Sequence, residues 1–231
     1  MDPVPWTWLR VTPMGRGSVK SGGVVALCVL AACGLTACGS GGDGGVTVDD
    51  TWFMQTGSQV QGIVTATAGE DAVGGFMLTE VEFRDGDDEV LASTQGPAMV
   101  SWADQQFAVP VEATVPGDAA VESMTATTRV SDEKFPDLWS RIEPADSYAI
   151  TGDGPYGFTA QFLLHGLPDE TQVGSGVTMN LGVACYDAAG GLIGGTAEQV
   201  PAPTTGGLLR VDAQVAAEGR PDTCRAFPGH L

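Results

Sequence analysis

Beyond residue 45 the alternation of apolar and polar positions has a period of two rather than 3.6. Phe76 to Phe83 reads Phe-Met-Leu-Thr-Glu-Val-Glu-Phe, and Val81 and Phe83 stand apolar among Glu80 and Glu82. Successive side chains of a strand leave opposite faces of a sheet, so this pattern predicts a half-buried strand. Gln59 to Ala68, rich in Val, Ile and Thr, predicts another. Val90 to Thr94, Gln106 to Ala113 and Ser123 to Val130 follow, each bounded by turn residues. Later candidates are Phe158 to His165, Val177 to Tyr186, Gly191 to Gly195, Gly207 to Val215 and Cys224 to Phe227. Only Ser131 to Ile142 departs from this pattern. There Phe135, Leu138, Trp139 and Ile142 recur at helical spacing, with Ser131 placed to cap, Pro136 in the first turn and Pro144 to stop the helix.

The second half reads as a repeat of the first. At an offset of 102, Val81, Phe83, Asp85, Val90 and Leu91 fall on Val183, Cys185, Asp187, Leu192 and Ile193, and Phe107 and Val109 on Leu209 and Val211. A constant offset across several strands implies a tandem unit of about 100 residues, the size of an immunoglobulin-like sandwich. The expectation is therefore an all-β chain of two tandem immunoglobulin-like β-sandwich domains, residues 46–130 and 156–231. A linker carrying a short helix, 131–155, would join them.

The region before residue 46 has a different character. Arg10, Arg16 and Lys20 precede an apolar run from Val24 to Ala37, broken by Gly34. This is the layout of a secretory leader, and the run is too short for a spanning helix of about 17–25 residues. It contains Leu30-Ala31-Ala32-Cys33 and Leu35-Thr36-Ala37-Cys38, and a Gly/Ser/Asp segment follows the second. Both resemble the lipobox of bacterial lipoproteins, which implies a diacylglycerol thioether on the cysteine and removal of everything before it. Cys38 is preferred to Cys33 because a flexible tether, residues 38–45, follows it directly. Ordinary cleavage nearby, releasing a soluble protein, is the competing reading. Met14 is an alternative start within a leader of 1–37.

Composition narrows the partners. Asp2 and the three leader cations stand before Cys38, which leaves 28 acidic and 7 basic residues in the 194 that follow. Phosphate binding needs Lys/Arg clusters, so nucleic acid is excluded as a partner. Anionic lipid heads would repel such a chain, so an acyl group rather than a basic patch would hold it at a membrane. Lys134 is the only lysine after the leader; with abundant Ala, Gly, Val, Asp and Thr this points to an actinobacterial origin.

Of the five cysteines, Cys28 and Cys33 belong to the leader and Cys38 takes lipid. Cys185 and Cys224 remain, and an even remainder in an oxidising compartment reads as a disulfide. A metal site is the alternative, with His230 the only histidine close in sequence.

Val183-Ala184-Cys185-Tyr186-Asp187-Ala188-Ala189-Gly190-Gly191-Leu192-Ile193 resembles the strand, Tyr-Asp-x-x-Gly turn and strand of the FxLYD-like immunoglobulin-fold domains of bacterial surface lipoproteins. The resemblance implies a fold and a surface location, without catalytic residues. The first repeat departs from it, with Arg84 in place of Tyr186 and Asp87-Asp88 in place of Ala189-Gly190.

Motifs for chemistry are sparse. Asp85-Gly86-Asp87-Asp88-Glu89 could offer oxygens to calcium, but a calcium-hand loop starting at Asp85 would place Val90 at the required Gly and Gly96 at the bidentate Glu. A solvated hairpin turn is the simpler reading. His165 and His230 lack a nucleophile-elbow motif, and no HExxH, Walker or Rossmann pattern follows the leader. The aromatics Trp52, Trp102, Trp139, Tyr148, Tyr156 and Phe158 could line a carbohydrate or peptide groove, but filling the sandwich cores or the joint between them is the simpler reading for most. Trp139, Tyr148 and Tyr156 lie between the repeats, and domain joints favour ligands, so they form the candidate ligand joint. The expected role is a non-enzymatic binding or structural module on the outer face of the cytoplasmic membrane. It would hold no cofactor or metal and contact an envelope protein or a cell-wall polymer. A calcium- or small-ligand-binding lipoprotein is the alternative.

Overall fold

The structure is a computed structural model that describes residues 45–117, 119–134, 141–154, 157–167, 176, 178–203 and 207–229, all within one compact unit. Cys38, Trp139, Tyr156 and His230 lie outside the described residues.

The first half forms six strands: β1 (Val46–Thr56), β2 (Gln59–Ala68), β3 (Gly75–Arg84), β4 (Val90–Met99), β5 (Gln106–Thr114) and β6 (Ser123–Lys134). The second adds β7 (Ala145–Asp146), β8 (Ala149–Thr151), β9 (Phe158–Leu167), β10 (Thr178–Tyr186), β11 (Leu192–Pro201), β12 (Gly207–Ala217) and β13 (Thr223–Gly229). Among the described residues the only helical element is a 3-10 turn, Glu70–Ala72.

Strand β1 escaped the pattern reading because Asp49-Asp50 interrupts its alternation. Its pairing with β2 skips between Val48 and Asp50. Such a bulge takes up one extra residue, which restores the alternation beyond it. The extra residue, Asp49, accepts a hydrogen bond from the Thr67 hydroxyl at 2.7 Å.

Ser131 does not cap a helix. Ser131 to Lys134 prolong β6, Lys134 pairs with Gly75, and the Ser131 Oγ accepts the Phe76 N–H at 3.0 Å. The neighbouring strand supplies hydrogen-bond partners that a helical turn there would forgo. Residues 135–140, the rest of the expected helix, lie outside the described residues.

Two three-stranded sheets, β4-β3-β6 and β1-β2-β5, face each other in the first half. Val64, Met77, Val81, Phe83, Val100 and Phe107 fill the space between them. The second half is a seven-stranded sheet, β7-β13-β10-β11-β12-β9-β8. Only Gly194–Ala217 and Gly195–Ala216 join β11 to β12. The sheet folds over at this seam, so that β13-β10-β11 and β12-β9-β8 enclose Phe162, Leu164, Leu181, Val183, Val215 and Ala226. The molecule is thus all-β and sandwich-like in each half.

The halves share their strand order. Three-stranded order β4-β3-β6 recurs as β11-β10-β13, and β1-β2-β5 recurs as β8-β9-β12. Register agrees in detail between β3-β4 and β10-β11. Pairing slips between Phe83–Ala92 and Arg84–Val90, and again between Cys185–Gly194 and Tyr186–Leu192, each position displaced by 102.

A third cluster lies between the halves. Trp52, Ile63 and Ala108, on the outward face of β1-β2-β5, pack against Ala184, Leu192 and Phe227 on the outward face of β13-β10-β11. Strand β5 touches β10, β11 and β13, while β11 touches β1, β2 and β5, so the strands of the two sheets cross. Four layers stack in this way, with β1-β2-β5 and the β13-β10-β11 part of the seven-stranded sheet as the two inner ones.

Candidate functional site

Three places in the fold gather the residues that the sequence singled out: the paired aspartate turns, the disulfide with its surroundings, and the joint between the halves.

The two turns are built alike. Asp187 Oδ1 accepts the N–H groups of Ala189 and Gly191, both at 2.9 Å, and Gly190 takes φ 85°. Asp85 Oδ1 accepts those of Asp87 at 3.0 Å and Glu89 at 2.9 Å, and Asp88 takes φ 64°. An aspartate that bonds backbone two and four residues ahead holds the chain in a tight reversal, which explains both Asp85 and Asp187 without a ligand. Arg84 serves the first turn further, donating to the Asp88 carbonyl at 2.7 Å and pairing with Glu82 at 2.5 Å. The hydrogen bond to Glu82 raises the Arg84 pKa above its ordinary value. Glu122 lies over Gly86, and Asp85, Asp87, Ala119 and Ala120 complete a shallow depression. Among the described residues no group of three or more His, Cys, Asp or Glu is placed to hold a metal ion.

Cys185 and Cys224 are bonded to each other, directly opposed on β10 and β13 and without exposed surface. Ser147 anchors the bridge from outside: its N–H donates to the Cys224 carbonyl at 2.7 Å, and its Oγ accepts the Cys224 N–H at 3.0 Å. Next to it, Arg225 donates to Asp146 at 2.8 Å, which raises the arginine's pKa. Burial raises the pKa of Tyr186, with a smaller opposing effect from Arg225. In the first half, the matching cross-strand pair is Phe83 and Met124. An apolar contact occupies in one repeat the place that the disulfide holds in the other.

The aromatic candidates divide. Tyr148 sits between β7 and β8, half exposed, its N–H bonded to the Gln161 carbonyl at 2.9 Å. Phe158 is buried in the second core. Trp52 fills the joint, 5% exposed, and Trp102 reaches from the β4–β5 connection to pack against the second core. His165, on β9 opposite Leu208, is exposed.

Trp52 in the joint agrees with the aromatic reading, whereas the small residues that it faces carry a signal of their own in the sequence. Gly182, Ala184 and Gly195 form a small-residue face on β10 and β11, where the first repeat carries Glu80, Glu82 and Ser93 on β3 and β4. A methyl group on Gly182 would overlap the Ala108 carbonyl, and one on Gly195 would overlap the Ile63 side chain. The offset of 102, applied to unlike residues rather than like ones, would have found this face.

Compared with known proteins, the chain matches no family model, no curated protein and no solved structure.

Proposed function

We propose that the chain is a lipid-anchored, non-enzymatic module of the outer cytoplasmic-membrane surface, made of two immunoglobulin-like sandwiches of FxLYD-like type and holding a binding or structural role in the envelope. The observation that carries this reading is the Cys185–Cys224 disulfide. Disulfides of this kind persist in oxidising compartments, so the bridge supports export. It also accounts for two of the three cysteines that follow the expected leader, which leaves Cys38 for lipid. The twin Asp turns support the resemblance to FxLYD-like domains, because they give Asp187 and Gly190 of the Tyr-Asp-x-x-Gly segment a structural reason. The acidic surface supports contact with a protein or a cell-wall polymer rather than with phosphate-rich partners.

Mass spectrometry of the mature amino terminus, combined with fractionation of a Cys38→Ala variant, tests the anchor. The expected result is a diacylglycerol-modified Cys38, with loss of the variant from the membrane fraction. An unmodified terminus elsewhere, or a variant that stays with the membrane, overturns it.

A further inference from the structure

Because the two halves share a strand order, corresponding faces can be compared residue by residue. The outward face of β13-β10-β11 packs on the first half, whereas the equivalent face of β4-β3-β6 is open to solvent. Their sequences differ where burial would demand it. On the open face, Glu80 pairs with Arg129 and hydrogen-bonds Gln95, and Glu82 pairs with Arg84. At Glu80, Glu82 and Ser93 of that face, the packed face has Gly182, Ala184 and Gly195. The far surface, β12-β9-β8, is mixed: Gln161 bonds Asp212 at 3.2 Å and Gln214 bonds Thr159 at 2.9 Å, while Leu163 and Leu208 are exposed among them.

We infer that the face-to-face joint of Trp52, Ile63 and Ala108 with Gly182, Ala184, Gly195 and Phe227 locks the two sandwiches into one rigid, cooperatively unfolding body. Three observations converge on the lock. Trp52, Ala184 and Phe227 are buried only because the other half covers them. The glycines leave no clearance for even a methyl group, so the surfaces meet backbone to side chain rather than across a film of water. Strands β5 and β11, each touching three strands of the other sheet, tie the contact down along two directions and resist hinge motion about any single line. Interfaces between domains ordinarily permit relative motion unless they are large and hydrophobic, and here Trp52, Ile63, Ala108, Ala184, Leu192 and Phe227 make the contact apolar.

The test transplants the open face into the joint. Gly182→Glu, Ala184→Glu and Gly195→Ser place on β10 and β11 the residues that β3 and β4 already carry, so the triple variant keeps a strand sequence compatible with this fold. Wild-type protein is expected to show one calorimetric transition whose van't Hoff and calorimetric enthalpies agree. In the triple variant that single transition is expected to split in two, with an increased radius of gyration by small-angle scattering. Trp52→Ala, approaching from the opposite side of the joint, is expected to give the same split. Glu80→Gly with Glu82→Ala, on the open face, should leave one transition. Two transitions in the wild-type protein, or one transition and an unchanged radius in both joint variants, overturn the inference.

Discussion

At the scale of single residues, the turns carry the most information. Asp187→Ala removes the acceptor of two backbone N–H groups and should cost about 1–2 kcal/mol, read from the urea midpoint at constant slope. The turn motif was legible in the sequence because the requirement is local: an acceptor at one end and a residue tolerant of positive φ three positions on. Gly190 meets the second requirement by lacking a Cβ, and Asp88 as one of the few side chains that tolerates the left-handed region. Tyr186 makes a different prediction. Burial raises its folded-state pKa above the ordinary 10.0, so the folded protein holds this proton more tightly than the unfolded chain. Its contribution is complete below pH 10 and is lost as pH rises through the folded value. Stability of the wild-type protein should therefore fall more steeply above pH 10 than that of Tyr186→Phe, measured by denaturant titration across that range. The raised pKa was not legible, because it depends on a sheet from the other half covering the ring.

At the scale of strands, the disulfide and its apolar counterpart are instructive. Strand pairs β3–β6 and β10–β13 form the same ladder, one around Phe83 and Met124, the other around Cys185 and Cys224. The bridge is therefore an added constraint on a ladder that forms without it. With a sequence separation of 39, it should contribute about 4 kcal/mol by limiting the unfolded chain. Reduction after unfolding should lower the denaturation midpoint accordingly, while circular dichroism of the refolded, reduced protein keeps its strand signal. Collapse of that signal on reduction would contradict the equivalence of the two ladders. Strand edges show where pattern reading stops. Strand β2 runs from Gln59 to Ala68 as its Val, Ile and Thr content predicts, whereas β4 continues past Thr94 to Met99 through Gly96 and Pro97. Those two residues read as a turn. In the sheet, Pro97 sits on an edge strand, where a missing N–H costs nothing, and Gly96 makes room for the Val109 side chain.

At the scale of the whole molecule, two sandwiches become one body because their inner sheets bury Trp52 and Phe227 against small residues. Four layers spaced about 10 Å apart place the outermost sheets roughly 30 Å from each other. A partner that touches both halves meets a fixed spacing, since the joint leaves no room for rocking. The sequence placed its candidate ligand joint on the connection between the repeats, at Trp139, Tyr148 and Tyr156. Of these, Tyr148 is among the described residues and is half exposed, while the described contact between the halves is made by strand faces.

Sequence alone determined the β class, the strands whose alternation is unbroken, the two Asp turns and the pairing of Cys185 with Cys224. The first three follow from short-range requirements, the two-residue period of a strand and the acceptor geometry of a tight turn, and the last from the even remainder once the cysteines of the expected leader and Cys38 are set aside. Tertiary structure alone decided the bulge that admits Asp49, the extension of β6 through Ser131, the seam at Gly194 and Gly195, and the joint. Each of these depends on what a distant strand presents across a gap. A glycine in a strand reads as a weakness until the Ile63 side chain or the Ala108 carbonyl is found occupying the space that its Cβ would have taken.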